Sequence, residues 1–484
     1  MIILGYYSSG ASGAYSLSGG LATVAGLYIG YLGAGTINQT GGVMQIALGG
    51  SLNIGAVSAG GAYSLSGTGL LDCGGAEEIG DSGSAVFNQS GGVNTIANGG
   101  DLFLASDGGI SSTYSLSGGT LTAPLEYIGL SGEGYMIQTG GTNTVGGGGL
   151  YLGYNSGSSG FYSLSGAGSL TVNGSLDVGS ATGGTATLAV SGGQLTVNST
   201  LRVYDTSGTN VTISGGTVTA GNTNNLAVIT ASGGSASLGA VTGTGALNLG
   251  DPSGSVTASE LQQSSVSITS GGKLTLTGGG SSNEIDSLTI SGNGVLDLTN
   301  TALLINYGSN PDPVAAIRGY LISGYNGGNW NGPGIDTTSP TGNKYAIGYA
   351  DSADPENPAG LPSGTIEIKY TLYGDANLDG VVNSVDFGIL AANFGQSGKV
   401  WDEGDFTYSG VVNSVDFGLL AANFGQSTSG AAVNLSSADW AALDAFAEAN
   451  GLMSELPEPA SGALVLLAAM GTMARRRRTC RAEA

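Results

Sequence analysis

Two stretches late in the chain carry side chains whose types and order suit a hard metal cation. Asp375, Asn377, Asp379, the carbonyl of Val381, Asn383 and Asp386 hold the first, third, fifth, seventh, ninth and twelfth places of one loop. This spacing turns alternate oxygens inward, and Ca²⁺ takes six or more of them. Gly380 stands sixth, where such a loop must turn sharply. Asp386 closes the loop where a Glu is usual, so the backbone must come one methylene closer to the ion. The second stretch keeps the frame with Asp405, Thr407, Ser409, Val411, Asn413 and Asp416, and has Gly410 in sixth place. Its side chains carry two formal charges, Asp405 and Asp416, against three in the first, so weaker binding is expected. Solvated Asp/Asn-rich turns are the alternative reading of both.

Each loop runs into a duplicated segment, VVNSVDFGILAANFGQS from Val381 and VVNSVDFGLLAANFGQS from Val411. Two loop–helix repeats, each closed by Asp and joined by a linker, resemble a type I dockerin domain over Tyr373 to Gln426. The resemblance implies an EF-hand-like, Ca²⁺-dependent α-helical fold that docks onto a cohesin-like partner. It also implies contact residues near the loop ends, here Ser384 and Ser414. Further along, the helices carry Ala391-Ala392 and Ala421-Ala422 where the family places basic or polar residues.

The composition restricts the rest. Of 484 residues 92 are Gly, only 9% are charged and none is His. Gly at that share without a collagen period suits short strands joined by tight turns. The absent imidazole removes Ser-His-Asp catalysis and His metal ligands. Cys73 and Cys480 are too few for a disulfide framework or a thiolate metal site. Net charge is −23, and the segment after Pro459 holds five Arg against one Glu, which leaves −27 for the remainder. That balance disfavours nucleic acid and suits divalent cations.

Residues 1–300 repeat. YSLSG begins at Tyr15, Tyr63, Tyr114 and Tyr162, with half-repeats from Ile37, Phe87 and Met136 between them. The unit is about 22 to 25 residues, a period that signals a solenoid. Alternating runs such as LYIG and LTV point apolar residues one way, and Gly-Gly pairs supply corners. The expected fold is mainly β: a right-handed parallel β-helix over 1–300. Its repeats resemble those of autotransporter passenger proteins. Gln39, Gln89 and Gln138 recur in register, either as a stacked amide ladder or as a polar groove for sugar.

Catalysis on this array would need facing carboxylates about 5–10 Å apart. Glu77, Glu78 and Asp81 cluster, as do Glu284 and Asp286, and solvated loop acids are the plainer reading. A lyase is disfavoured because 1–300 contains only Arg202 and Lys273 as cations. Tyr6, Tyr7, Tyr28, Tyr31, Tyr151 and Tyr154 offer either sugar platforms or edge packing.

Residues 301–372, richer in Pro, read as a β-rich cap with strands at LLINYG, AAIRGYLISGY, YAIGYAD and TIEIKYTLYG. The calcium module spans 373–427. A linker and an amphipathic helix follow over 428–456, capped by Ser436 or Ser437 and stopped at Gly451. Pro457, Glu458 and Pro459, a short apolar helix and Arg475, Arg476, Arg477 and Arg478 then resemble a PEP-CTERM sorting signal over 457–484. That resemblance implies an exosortase-like sorting enzyme and transient inner-membrane anchoring. The first residues lack a signal peptide's pattern, and a longer reading frame upstream is expected.

These readings converge on an exported surface or matrix protein, structural or adhesive, without its own catalytic site. A polysaccharide-degrading enzyme carried by a dockerin is the alternative, and a glycan-binding adhesin a second.

Overall fold

In the computed structural model, residues 1–456 are described apart from 8, 9, 11, 98 and 279–281. The sorting-signal residues Pro457 to Arg478 lie outside the described residues. Two compact units divide the chain: residues 1–339 with 362–370, and residues 340–361 with 371 onward. The expected cap, 301–372, therefore contributes to both.

The first unit is a parallel β-solenoid of about 13 turns. Its register follows the sequence period. Leu27 pairs with Leu52, Leu52 with Glu77, Glu77 with Leu102 and Leu102 with Glu126, in steps of about 25 residues. Further on the coils tighten. Val211 pairs with Ile229 and Ile229 with Leu247, in steps of about 18 residues. This shortening is why the repeat motif fades there: the shorter coils lack part of each unit.

Within a turn, strands such as Leu27–Ile29 and Ala34–Ile46 send alternate residues inward. Leu27, Ile29, Ile37, Met44 and Ile46 are all buried. Each fully buried aliphatic side chain contributes roughly 1.5–3 kcal/mol, and here it packs against the rungs above and below. The corners explain the Gly-Gly pairs. Gly42 has φ +68°, and a Cβ there would stand 2.7 Å from backbone atoms of Gly19 and Gly20 in the previous turn. Stacked corners leave no room for a side chain.

The strand Ala302–Asn306 takes parallel partners on one side and the antiparallel residues Thr365 to Lys369 on the other. Such a reversal blunts an exposed solenoid edge. One expected strand is not a strand. AAIRGYLISGY forms helix α1, Val314–Tyr325, which buries Ile317, Leu321 and Gly324. Those three lie on one helical face, a spacing that alternation does not produce. Gly324 is required, since a Cβ would meet the Ile335 carbonyl oxygen at 1.7 Å.

The second unit holds helices α2 (Ser384–Asn393), α3 (Ser414–Asn423) and α4 (Ser437–Asn450). Ser436 caps α4 with Asp439 completing a capping box, and Gly451 ends it at φ +70°. From α4, Phe446 reaches the rings of Phe387, Phe394 and Phe417, while Trp440 meets Phe424.

Candidate functional site: a duplicated oxygen-lined loop module

The two loops share one backbone course. Leu378 and Tyr408, fourth in their loops, both have φ +57°, and the sixth residues Gly380 and Gly410 have φ +84° and +79°. Asn383 and Asn413 cap the following helices by accepting from Val385 and Val415 N–H at 2.7 and 2.8 Å. Asp386 and Asp416 complete capping boxes. Each loop is braced by the other repeat. Val381 bridges Ser427 and Val411 bridges Ser397, both antiparallel. A Cβ at Gly374 would stand 2.7 Å from Leu420 Cα, and one at Gly404 would stand 3.0 Å from Leu390 Cα. The duplication is thus a pseudo-twofold pair in which each helix lies against the partner's loop.

In the first loop Asp375 and Asp386 are buried. Asp375 Oδ2 accepts the Gly380 N–H at 2.9 Å and the Thr371 hydroxyl. Asp386 Oδ1 accepts from Ala376 and Asn377 N–H, and its Oδ2 from Asn383 N–H. Asn377 and Asp379 bond one another at the exposed rim, with Asn377 Nδ2 donating to Asp379 Oδ2 at 3.0 Å. Burial, with Asp375 and Asp379 adding like charge, pushes the Asp386 carboxyl up to about 7. Burial and Asp405 push Asp416 up to about 6.

The second loop differs in one chemical respect. The Ser409 hydroxyl donates to Asp405 Oδ1 at 3.2 Å, and the Thr407 hydroxyl stands 3.1 Å from both Asp405 Oδ1 and Asp416 Oδ1, with one proton to share between them. Asp379, in the place of Ser409, has no proton to give. The second loop satisfies more of its own oxygens and holds fewer charges.

The donor set fits an oxygen-seeking cation: carboxylates, an amide and a carbonyl in loop order, with buried like charges that a dication would neutralise. Asn383 is committed to its cap, in keeping with a ninth position that commonly reaches the ion through water. Among the described residues no three acidic, imidazole or thiol side chains form a closed metal cage in this conformation.

Several residues outside the loop motif support this module. Trp401 is fully buried, and its Nε1–H donates to the Asp375 carbonyl at 2.8 Å. Its ring packs against Phe406 and Tyr408 and over Gly348, where a Cβ would approach it to 2.5 Å. The Tyr408 hydroxyl donates to the Ile347 carbonyl at 2.6 Å. Asp402, also buried, is pushed up to about 8 by burial and by Asp354, Glu403 and Asp351. Only Trp401 between the repeats and Tyr408 within the second loop hint at this in sequence.

Ser384 and Ser414 are both exposed at the helix starts. Ser384 reaches the Asp439 carboxylate of α4. Ser414 lines a shallow groove of about 290 Å³ with Val415, Leu419 and Glu455. Val385 and Val415, next to them, are 56% and 57% exposed, a matched apolar pair on the two helices.

The solenoid sends Glu77 and Glu78 to opposite faces of one strand and keeps Glu284 and Asp286 on the same face of another. Glu77 faces the interior at 0% exposure, whereas Glu78 faces outward and accepts from Asn53 Nδ2. Glu284 and Asp286 lie exposed on one strand, Glu284 accepting from Asn306. The Gln residues form neither ladder nor groove. Gln39, Gln89 and Gln138 are buried and alternate with Leu65 and Leu116 in adjacent turns. Their amides are therefore two rungs apart, too far to touch. Each instead takes a Tyr hydroxyl from the next turn: Tyr63, Tyr114 and Tyr162 respectively.

The outer tyrosines stack on each other. Tyr127 lies between Phe103 and Tyr151 at 5.3 and 5.1 Å, with Tyr154 edge-on to both tyrosines. Tyr6 stacks on Tyr31, with Tyr7 and Tyr28 at their edges. Tyr6 and Tyr7 nevertheless stay 52% and 75% exposed. No helix among the described residues is long and apolar enough to cross a membrane.

Comparison with protein-family models, curated proteins and solved structures finds no match for this chain.

Proposed function

We propose that the chain is an exported structural or adhesive protein of the cell surface or extracellular matrix. The solenoid is its stiff body and the paired loops are a Ca²⁺-dependent attachment module resembling a dockerin. The carrying observation is the reciprocal bracing of the repeats, in which Val381 bridges Ser427 and Val411 bridges Ser397. Asp375, Asn377, Asp379, Val381, Asn383 and Asp386 would hold one ion, and Asp405, Thr407, Ser409, Val411, Asn413 and Asp416 a weaker second. Calcium supplies positive charge that lets buried carboxylates converge, so that binding is coupled to folding. The loops order α2 and α3, and these present Ser384, Val385, Ser414 and Val415 to a cohesin-like partner. The PEP-CTERM-like tail anchors the protein transiently in the inner membrane, where an exosortase-like enzyme sorts it.

The test is hydrogen exchange on the full chain with Ca²⁺ and with EDTA. Expected is loss of protection over 373–427 with the solenoid unchanged. Equal protection in both conditions would remove the calcium module from this reading. The same preparation, incubated with acidic and neutral polysaccharides, separates the rivals. New reducing ends or unsaturated uronic products would make it a polysaccharide-degrading enzyme; retention of one glycan without turnover would make it an adhesin.

A further inference from the structure

The solenoid core contains two copies of one buried polar cluster, 49 residues apart in sequence, that the surface function does not use. In the first, Asn94 Nδ2 donates to Glu77 Oε2 at 2.9 Å and to the Tyr114 hydroxyl at 3.3 Å. Tyr114 donates on to Gln89 Oε1, and Gln89 Nε2 reaches the Thr120 carbonyl at 2.9 Å. In the second, Asn143 Nδ2 donates to Glu126 Oε2 at 3.1 Å and to the Tyr162 hydroxyl at 3.3 Å. Tyr162 donates to Gln138 Oε1, and Gln138 Nε2 to the Ser169 carbonyl. Glu77, Glu126 and Asn143 are at 0% exposure, as is Asn94.

Each cluster leaves the same two atoms over. Glu77 Oε1 with Asn94 Oδ1, and Glu126 Oε1 with Asn143 Oδ1, have no hydrogen-bond partner. Both atoms of each couple are acceptors while the carboxyl is ionised, so neither can serve the other. One proton changes that. On Oε1 it turns the carboxyl into a donor for the amide oxygen, and the pair closes through two antiparallel hydrogen bonds. A single hydrogen thus satisfies two buried atoms, at each of two places.

The repeat supplies its own control. One unit earlier, Tyr63 donates to Gln39 in the same way, but Leu27 and Met44 stand where Glu and Asn stand later. One unit after, Leu176 and Leu195 hold these places. Glu and Asn arrive together and leave together, while Gln–Tyr bonding is found without them.

We propose that Glu77 and Glu126 are held as neutral acids, each paired through two hydrogen bonds with Asn94 or Asn143, making the core a pair of built proton sites that loosens when the protons leave.

Among the described residues no cation acts on either carboxyl, and the chain has no Lys or Arg before Arg202. The titratable groups facing Glu77 are Tyr63, Cys73, Tyr114 and Glu126; those facing Glu126 are Tyr114, Tyr162 and Glu77. All are neutral or acidic. Burial pushes both Glu carboxyls up to about 7. The unfolded chain ionises near 4.5, so each folded site holds its proton about 300-fold more tightly. The sites' contribution to stability is complete below about pH 4.5 and is lost as pH rises through about 7.

The experiment compares thermal unfolding of the full chain and of the double variant Glu77→Gln, Glu126→Gln from about pH 5 to about pH 8.5. Gln reproduces both hydrogen bonds without a proton to lose. The difference between the two proteins is the readout, since Asp336, Asp386, Asp402 and Asp416 titrate in the same range. Expected is a variant melting temperature that rises relative to wild type as pH increases. Between those pH values the folding equilibria should diverge by about 75-fold per site. A difference constant across this range would overturn the proposal. A second variant, Glu77→Leu with Asn94→Leu, copies the residues of adjacent turns, Leu52, Leu102, Leu71 and Leu121. It should flatten the Glu77 share of the same difference. Infrared difference spectra give an independent readout: a protonated-carboxyl band near neutral pH that the Gln variant lacks supports the proposal, and a band unchanged in that variant refutes it.

Discussion

Trp401 ties the calcium-loop reading to a single measurable contact. Its Nε1–H donates to the Asp375 carbonyl at 2.8 Å, and its ring is fully buried. Trp401→Phe removes this donor to the carbonyl of the first loop residue and shrinks the ring above Gly348. Losing a buried hydrogen bond costs about 1–3 kcal/mol. The smaller ring adds a cavity term, so the second unit should lose about 2–4 kcal/mol in all. Only the first part concerns the geometry of Asp375. If the ion must restore that geometry, the Kd of the first loop weakens by about 5- to 150-fold. Calorimetric titration of Ca²⁺ into EDTA-stripped full-length protein measures this, with chemical unfolding in parallel. Lower stability with Kd unchanged within about twofold would refute the coupling and leave Trp401 as packing alone. A wild-type chain that takes up no calcium would refute the loop reading itself.

Two further outcomes follow from the loops. Below about pH 7 the buried Asp386 carboxyl keeps its proton in the ion-free fold, and Ca²⁺ must displace it. Calcium affinity should fall by roughly tenfold per pH unit below that point, read as Kd at successive pH values; an affinity flat below neutrality would exclude Asp386 as a ligand. In the second loop, Thr407→Asn with Ser409→Asp installs the first loop's residues and removes the hydroxyls that bond Asp405. The second site should tighten by about tenfold or more, visible as a change in binding stoichiometry at low Ca²⁺. No change would mean that the second loop's backbone, not its side chains, limits the ion.

Much of the architecture was legible in the chain because it repeats. The 48- to 51-residue recurrence of YSLSG and the Gly-Gly corners announce a stacked coil, since neighbouring turns of similar length and bends bring like residues into register. The course of the duplicated loops was legible for a similar reason: their turn glycines and helix caps act within a dozen residues. Ser436 and Gly451 marked the ends of α4 through capping chemistry that acts within one turn of the helix.

What the tertiary structure alone decided is which residues meet across turns. Gln39, Gln89 and Gln138 look like a ladder in sequence, yet Leu65 and Leu116 separate them by a full rung. Glu77 and Glu78 are neighbours in the chain, but strand alternation sends one into the core and the other to the surface. That same alternation places Glu77 beside Asn94, seventeen residues away, and makes a chemical pair of two residues with no local signature. In the second unit, Trp401 and Gly348 meet because the chain returns to the module after a long excursion, and pattern within a segment carries no record of such a return. Composition and period determine the coil; the stacking of one coil on the next determines its interior chemistry.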